Sequence, residues 1–442
     1  MNFLNLFVTS LFAGLLLSGC VTSPNEVQKP FSGPSPWPQI RKERIQQLLP
    51  GAMERAGVDV WLVVCRENNN DPLADHIGGE NASGTAVFLF QRRDSSVYSI
   101  AFSPVGEATA LKDVALHDSV AVIPRGESAI AAAGAYVQKT APNVIAVNMS
   151  DTDEMADGLS FTQHKALTAA LGKTVSARLV SSAELVYEWL SIKLPAEVEI
   201  MAKAAEITAQ WQLEAYASIV PGKTTDADVA KFLKKKMADA GLEDAWAADQ
   251  NPNVVSGADR GHSHATDRVI QPGDVIQTDF GIKVYGRWVT DIQRFAYVLK
   301  PGETKAPDDV QMYWDVAKKG SRLVLEALKP GVAGFEVDKK QRDWMKENGS
   351  LPVMWSTGHP VGYVAHDVGP GLGGAQEGRT PNAAQRKPIR AGMVFAYDGF
   401  YCWPRPDGTT KTISVEEMAV VTETGAHYLT RPQEDLFLVG KR

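Results

Sequence analysis

Five residues set metal-ligating side chains inside apolar or glycine-flanked stretches: Asp279 in VIQTDFG, Asp291 in WVTDIQR, His359 in STGHPVG, Asp398 in VFAYDGF and Glu416 in ISVEEMAV. A carboxylate buried alone forfeits its hydration, so four converging on one place require cations to compensate their charge. Four carboxylates and one imidazole match the needs of two divalent ions. Such an oxygen-rich set suits Mn, Fe, Co or Zn, whereas a structural zinc site shows thiolates. Taken singly, each acid also reads as an exposed strand residue, a turn residue or an ion-pair partner of a neighbour such as Arg294. The order of all five is what carries information.

The elements around these residues must bring them together. Asp279 and Asp291 fall in the strand-like stretch Val254–Leu299, on two segments joined by a turn at Tyr285-Gly286-Arg287, and are expected to face each other across a hairpin. Asp398, just after the strand-like run Met393–Tyr397, and Glu416, within Thr412–Thr422, belong to a second hairpin with the same expectation. Helices precede each pair: Pro195 opens one whose apolar spacing runs from Val198 to Tyr216, a second spans Thr225–Gly241, and a third spans Asp309–Leu328. The result is a two-fold helix-then-hairpin pattern. Upstream, a helix over Pro38–Gly57 leads into short β-rich runs at Val58–Val64, Thr85–Gln91, Val97–Phe102, Val120–Pro124 and Val144–Asn148. Helix-like segments at Ile130–Lys139 and Gln163–Leu171 space them as in an α/β domain. Gly78-Gly79 with Gly84 does not join a strand to a helix and reads as a loop, not a phosphate cradle.

The sequence of these words resembles the pita-bread metallopeptidases: aminopeptidase P, prolidase, methionine aminopeptidase and the related creatinase. GHSHATDRVIQPGDVIQTDFG, KVYGRWVTDIQRFAYVLKPGE, GHPVGYVAHDVGPGLG, AGMVFAYDG and SVEEMAVVTETGAHYLT carry the resemblance, over Leu194 to about Leu438. It implies an α/β N-terminal domain at 39–190 followed by an α+β pita-bread catalytic domain at 194–438. It also implies that Asp279 chelates one metal, Asp291 and Glu416 bridge two, and His359 with Asp398 holds the other, with Mn first among Mn, Co, Zn and Fe. His262 and His366 match the family's histidines that contact substrate and steady the oxyanion or departing amine. Gly358 and Gly362 match positions where backbone approaches the metal. The implied activity is removal of an N-terminal residue from peptides of Xaa-Pro type, by a protein that in this family is often a homodimer. A non-peptidase hydrolase of creatinase type and a peptide-binding module without catalysis are the alternatives.

Four positions depart from the family pattern. Asp398 stands where Glu is usual, the hairpin from Asp279 to Asp291 is one residue longer, and Trp355 replaces a histidine four residues before His359. Ser414 replaces an arginine that holds a dipeptide carboxylate, which favours an aminopeptidase on longer peptides over a prolidase. The longer hairpin predicts a bulge near Arg287-Trp288. Trp246, Trp288, Trp355 and Trp403 are candidates for core packing or for apolar walls around a proline ring.

Composition bounds the rest. The 442 residues carry 45 basic and 52 acidic side chains, a net charge of −7 that gives no electrostatic footprint for nucleic acid. Three cysteines are too few for a disulfide framework, and Cys65 and Cys402 read as buried thiols. The apolar run Leu6–Leu17 ends in Leu17-Ser18-Gly19-Cys20, which resembles the lipobox of bacterial lipoprotein signal peptides, although Met1–Asn5 lacks the usual basic residue. The run is shorter than a bilayer span, and a polar, proline-rich stretch follows it. Residues 1–19 are therefore expected to be a signal peptide, Cys20 the lipidated residue and 20–38 a tether. The absence of aspartate at Val21 points to the outer membrane, facing the periplasm.

Overall fold

The computed structural model describes residues 29–441 apart from 69, 70, 83 and 262. The expected signal peptide, Cys20 and His262 lie outside the described residues. None of the described helices is long and apolar enough to cross a membrane.

The N-terminal α/β domain is built on six strands: β1 (Val60–Arg66), β2 (Thr85–Arg93), β3 (Ser96–Pro104), β4 (Ser119–Ile123), β5 (Ile145–Val147) and β6 (Leu179–Ser181). They form one mixed sheet in the order β4-β3-β2-β1-β5-β6. Strict alternation along β1 sends Trp61, Val63 and Cys65 into one core and Val60, Leu62 and Val64 into the other, as the two-residue period of a strand dictates. Helical chain from Trp37 to Arg55 and the helix Ala183–Leu190 cover the first face, and Ala129–Thr140 with Phe161–Ser176 cover the second. Strand β6 and the helix Ala183–Leu190 escape a reading by periodicity because each is short. Cys65 and Cys402 are both buried and unbridged.

The catalytic domain repeats one plan twice. The helices Pro195–Ala217 and Asp226–Ala240 pack on a sheet made of β8 (Asn253–Ser256), β9 (Val275–Phe280), β12 (Ile292–Val298) and β17 (Phe437–Val439). A small sheet beside it comprises β7 (Glu243–Asp244), β10 (Ile282–Val284) and β11 (Trp288–Val289). The helices Asp308–Ala327 and Gly334–Glu347 pack on a sheet of β13 (Gly358–Pro360), β14 (Val394–Pro404), β15 (Thr410–Val421) and β16 (Ala426–Tyr428). Local chemistry sets the helix ends. Thr225 caps Asp228 N–H at 3.1 Å while the Asp228 carboxylate accepts from Thr225 N–H at 3.0 Å, and Gly241 closes the same helix at φ 72°.

Candidate metal centre

Register decides which acids meet. β9 and β12 pair so that Asp279 stands opposite Gln293, and Asp291 lies two residues earlier on the same face. The two aspartates are therefore diagonal neighbours on one face of the hairpin, where the spacing expects them to face each other. The longer hairpin keeps one register from Phe280↔Ile292 to Val284↔Trp288, so no bulge forms at Arg287-Trp288. The extra residue is taken up in the loop Tyr285–Arg287, where Tyr285 and Gly286 adopt φ of 53° and 63°. On the second sheet, Asp398 and Glu416 are direct cross-strand partners, as expected. His359 pairs with Ala396, two residues from Asp398, and so shares its face.

The two sheets meet at these side chains. His359 Nε2 lies 3.7 Å from Asp291 Oδ2 and 3.9 Å from Glu416 Oε1. One ligand atom each from Asp291, His359 and Glu416 falls within 4.8 Å of the others. Asp279 and Asp398 join them in lining one cleft of about 1410 Å³, together with His366, Trp246 and Trp355. The rings of His359 and His366 are 4.2 Å apart at 67°. Trp288 is buried in the core and Trp403 stacks on Tyr313, so the four tryptophans divide evenly between wall and packing.

The electrostatics ask for cations. Burial, then the neighbouring Asp279 and Asp398, pushes Asp291 well above the usual carboxylate range. Burial and Asp279 do the same to Asp398, and burial with Asp291 does so to Glu416. Asp398 Oδ1 and Glu416 Oε2 are buried and accept no hydrogen bond among the described residues. Acceptor oxygens left in this state are costly unless a cation faces them, so the donor set fits divalent metal.

Several supporting residues carry no sequence signal of their own. Gln293 accepts at Oε1 from Ser414 Oγ and from Gln277 Nε2, both at 2.7 Å, and hydrogen-bonds Glu416. Ser414 thus holds a ligand-orienting amide in place of the family's arginine. Asn253, opposite Asp279 on β8, donates to Ser263 O at 2.5 Å. Arg294 turns away from the ligands and pairs with Glu417 at 3.1 Å, which separates the two adjacent glutamates into one structural and one cleft-lining residue.

The loop carrying His366 is clamped to both domains. Asp367 accepts from Tyr363 N–H at 2.9 Å and pairs with buried Lys193 at 3.1 Å. Tyr363 OH donates at 2.6 Å to Glu197, which also receives Arg44 of the N-terminal domain at 2.6 Å. Burial opposes ionisation of Glu197, but Arg44 and Lys193 outweigh it and hold its carboxyl below the ordinary range. Gly358 and Gly362 leave no room for a side chain. A Cβ at Gly358 would strike Ala396 and Tyr397, and one at Gly362 would strike Lys193 and Asp367.

With this geometry in view, comparison with known proteins is decisive for family. The sequence pattern of metallopeptidase family M24 matches residues 199–423. The chain belongs to metallopeptidase family M24. Among M24-like relatives, the uncharacterized peptidase YqhT of Bacillus subtilis is 25% identical over 336 residues, covering 75% of this chain and 88% of that protein. A Xaa-Pro dipeptidase of Pyrococcus furiosus is 27% identical over 251 residues, which is 55% of this chain and 64% of that protein. The X-Pro aminopeptidase of Thermotoga maritima superposes with a TM-score of 0.64 at 22% identity, over 87% of this chain and 99% of that one. Aminopeptidase P of E. coli gives a TM-score of 0.60 at 17% identity, over 90% and 95%. The shared fold is the pita-bread fold behind an α/β N-terminal domain. M24 membership makes the chain a hydrolase of the M24 peptidase family, a family that is generally metal-dependent.

Proposed function

We propose that the chain is a dinuclear metal-dependent exopeptidase that removes the N-terminal residue from peptides, with Xaa-Pro bonds as its target. The observation that carries this reading is the convergence of Asp279, Asp291, His359, Asp398 and Glu416 on one cleft within the M24-matching segment. Asp279 is assigned to one cation, Asp291 and Glu416 to both, and His359 with Asp398 to the other, with Mn(II) as the metal. Two divalent cations, when bound, neutralise the four carboxylates and lower the pKa of water toward neutrality.

The chain's own residues do the rest. Gln293 fixes the rotamer of Glu416, and the Lys193-Asp367 pair holds the loop that aims His366. His366, beside His359 but outside the ligand set, exchanges a proton at its ring nitrogen with the reacting amide and steadies the oxyanion. His262 is assigned the same class of role. Trp246 and Trp355 provide flat apolar walls suited to a proline ring. The amide preceding proline lacks an N–H, so a peptidase that relies on that donor cannot engage it and a dedicated site is required.

The test is mass spectrometry of Ala-Pro-Ala and Ala-Ala-Ala incubated with the protein, with Mn(II) and with chelator. Metal-dependent loss of alanine from Ala-Pro-Ala alone is expected, and no metal-dependent cleavage of any peptide would overturn the reading. We also propose that Cys20 carries lipid and anchors the enzyme to the bacterial outer membrane, facing the periplasm. Labelling of the protein by an alkyne fatty acid, abolished in Cys20→Ala, is the expected result.

A further inference from the structure

The loop 360–367 follows His359 and carries His366, and it has two sides. Val364, Ala365 and His366 line the cleft. Tyr363 turns toward the N-terminal domain, where its ring meets those of His76 and Trp37. The loop is closed on itself at its base. Asp367 N–H donates to Pro360 O at 3.0 Å, and the Asp367 carboxylate accepts from Tyr363 N–H at 2.9 Å. Val289 N–H, on β11, donates to Gly362 O at 2.8 Å. With the backbone braced at Pro360, Gly362, Tyr363 and Asp367, the place of His366 follows the place of Tyr363.

A buried carboxylate decides where Tyr363 sits. Tyr363 OH donates to Glu197 Oε1 at 2.6 Å, and Trp288 Nε1 donates to the same oxygen at 3.1 Å. Glu197 Oε2 accepts from Leu194 N–H at 2.8 Å and from Arg44 at 2.6 Å. Each carboxylate oxygen therefore has two donors, and the tyrosine hydroxyl is one of the four. Arg44 comes from the N-terminal domain and is itself fixed by donating to Ile192 O and Trp189 O, both at 2.7 Å. The side chains of Arg44 and Glu197 are fully buried. Buried ion pairs return little net stability over apolar groups of the same shape, so the distinctive effect of this one is directional. The Arg44 guanidinium orients Glu197, and Glu197 orients the hydroxyl of Tyr363.

We propose that Tyr363 is a positioning residue through which the N-terminal domain, by way of Arg44 and Glu197, holds His366 in its working place. The N-terminal domain is then part of the catalytic apparatus without lending it a reacting group. This deepens the exopeptidase reading and rests on it for the role of His366. A small misplacement of a group that must meet the reacting amide lowers turnover strongly, whereas substrate contacts elsewhere in the cleft are untouched. The relay therefore acts on kcat, not on KM.

Tyr363→Phe removes the hydroxyl and keeps the ring, and Arg44→Lys keeps the charge but loses the fork. Amide hydrogen exchange of the chelator-stripped protein, followed by mass spectrometry, reads the loop without turnover. Tyr363→Phe is expected to speed exchange in 360–368 about tenfold or more, the scale of one hydrogen bond to a charged group, and to leave β1–β2 and β14–β15 unchanged. In the Mn(II)-loaded protein it is expected to lower kcat on Ala-Pro-Ala about tenfold or more, with KM and metal content unchanged. Arg44→Lys is expected to lower kcat in the same way, and the double variant to lose no more than the worse single one, as members of one relay do. Additive losses would overturn the part played by Arg44, and Tyr363→Phe tests the loop even where Arg44→Lys does not fold. Exchange that is unchanged, or faster throughout the chain, would overturn the proposal, as would an unchanged kcat. Loss of metal would shift the role of Tyr363 from His366 to His359 and overturn it as stated. Local exchange in a wild type that cleaves no peptide contradicts the exopeptidase reading alone.

Discussion

Asp398 and Glu416 are direct cross-strand partners on β14 and β15, both buried, and each keeps one carboxylate oxygen that accepts no hydrogen bond from the described residues. The backbone ladder that stabilises this sheet thus forces two acids into contact distance. That arrangement costs free energy in an empty site and becomes favourable when cations enter.

Asp398 is one methylene shorter than the family's usual glutamate, yet its register partner and backbone hydrogen bond to Thr357 fix it in the cleft. Asp398→Asn is expected to lose metal-dependent turnover and about one metal equivalent per chain, with the circular dichroism spectrum unchanged. Full activity and full metal content would remove Asp398 from the ligand set.

His366 lies against His359 without belonging to the three-residue cluster of ligand atoms. His366→Ala is expected to lower kcat by about two orders of magnitude or more, the scale of a lost proton-transfer group or oxyanion donor, with metal content intact. Elemental analysis beside steady-state kinetics separates the two effects. A loss of metal in this variant would mean that the imidazole is a ligand.

Lys193 and Asp367 form a buried pair between the helix-preceding segment and the His366 loop. Lys193→Met leaves Asp367 without its counter-charge and is expected to cost about 3–5 kcal/mol in chemical denaturation. Lys193→Met with Asp367→Leu is expected to recover part of that loss. A single variant as stable as the wild type would show that the pair is not desolvated in solution.

Burial and mutual repulsion raise Asp291, Asp398 and Glu416 well above the usual range in the cation-free protein. For such acids the folded state binds more protons than the unfolded one, so their contribution is full below the unfolded pKa near 4 and is lost as pH rises through the folded pKa. Metal must displace those protons. The rise in Tm on adding Mn(II) to chelated protein is therefore expected to be larger at pH 8 than at pH 5, by thermal melting in both states. A metal-induced rise independent of pH would contradict the coupling.

The candidate ligands were legible because acids interrupt strands whose neighbours are apolar, a conflict that a sequence displays openly. That Asp398 and Glu416 face each other on one hairpin was legible in the same way. Asp279 and Asp291 also share a face, but their diagonal offset depends on the loop at Tyr285 and Gly286, whose left-handed residues leave no trace in the pattern of hydrophobicity. Gln293, Asn253 and Lys193 were invisible because their partners lie in other elements, and such hydrogen bonds leave no periodic trace. The helix Gly334–Glu347 was missed because its strongly polar composition extends to its buried face, where Asp338 and Gln341 sit beside Val337 and Met345. Of the tryptophans, only tertiary packing could sort Trp246 and Trp355 on the wall from Trp288 in the core.

The most direct test of the dinuclear exopeptidase account is titration of Mn(II) into chelator-stripped protein while cleavage of Ala-Pro-Ala is followed. The account predicts no cleavage in the stripped protein, release of alanine as metal is added, and saturation at two equivalents per chain. Cleavage in the absence of metal, saturation at one equivalent, or no cleavage at any metal loading would contradict it.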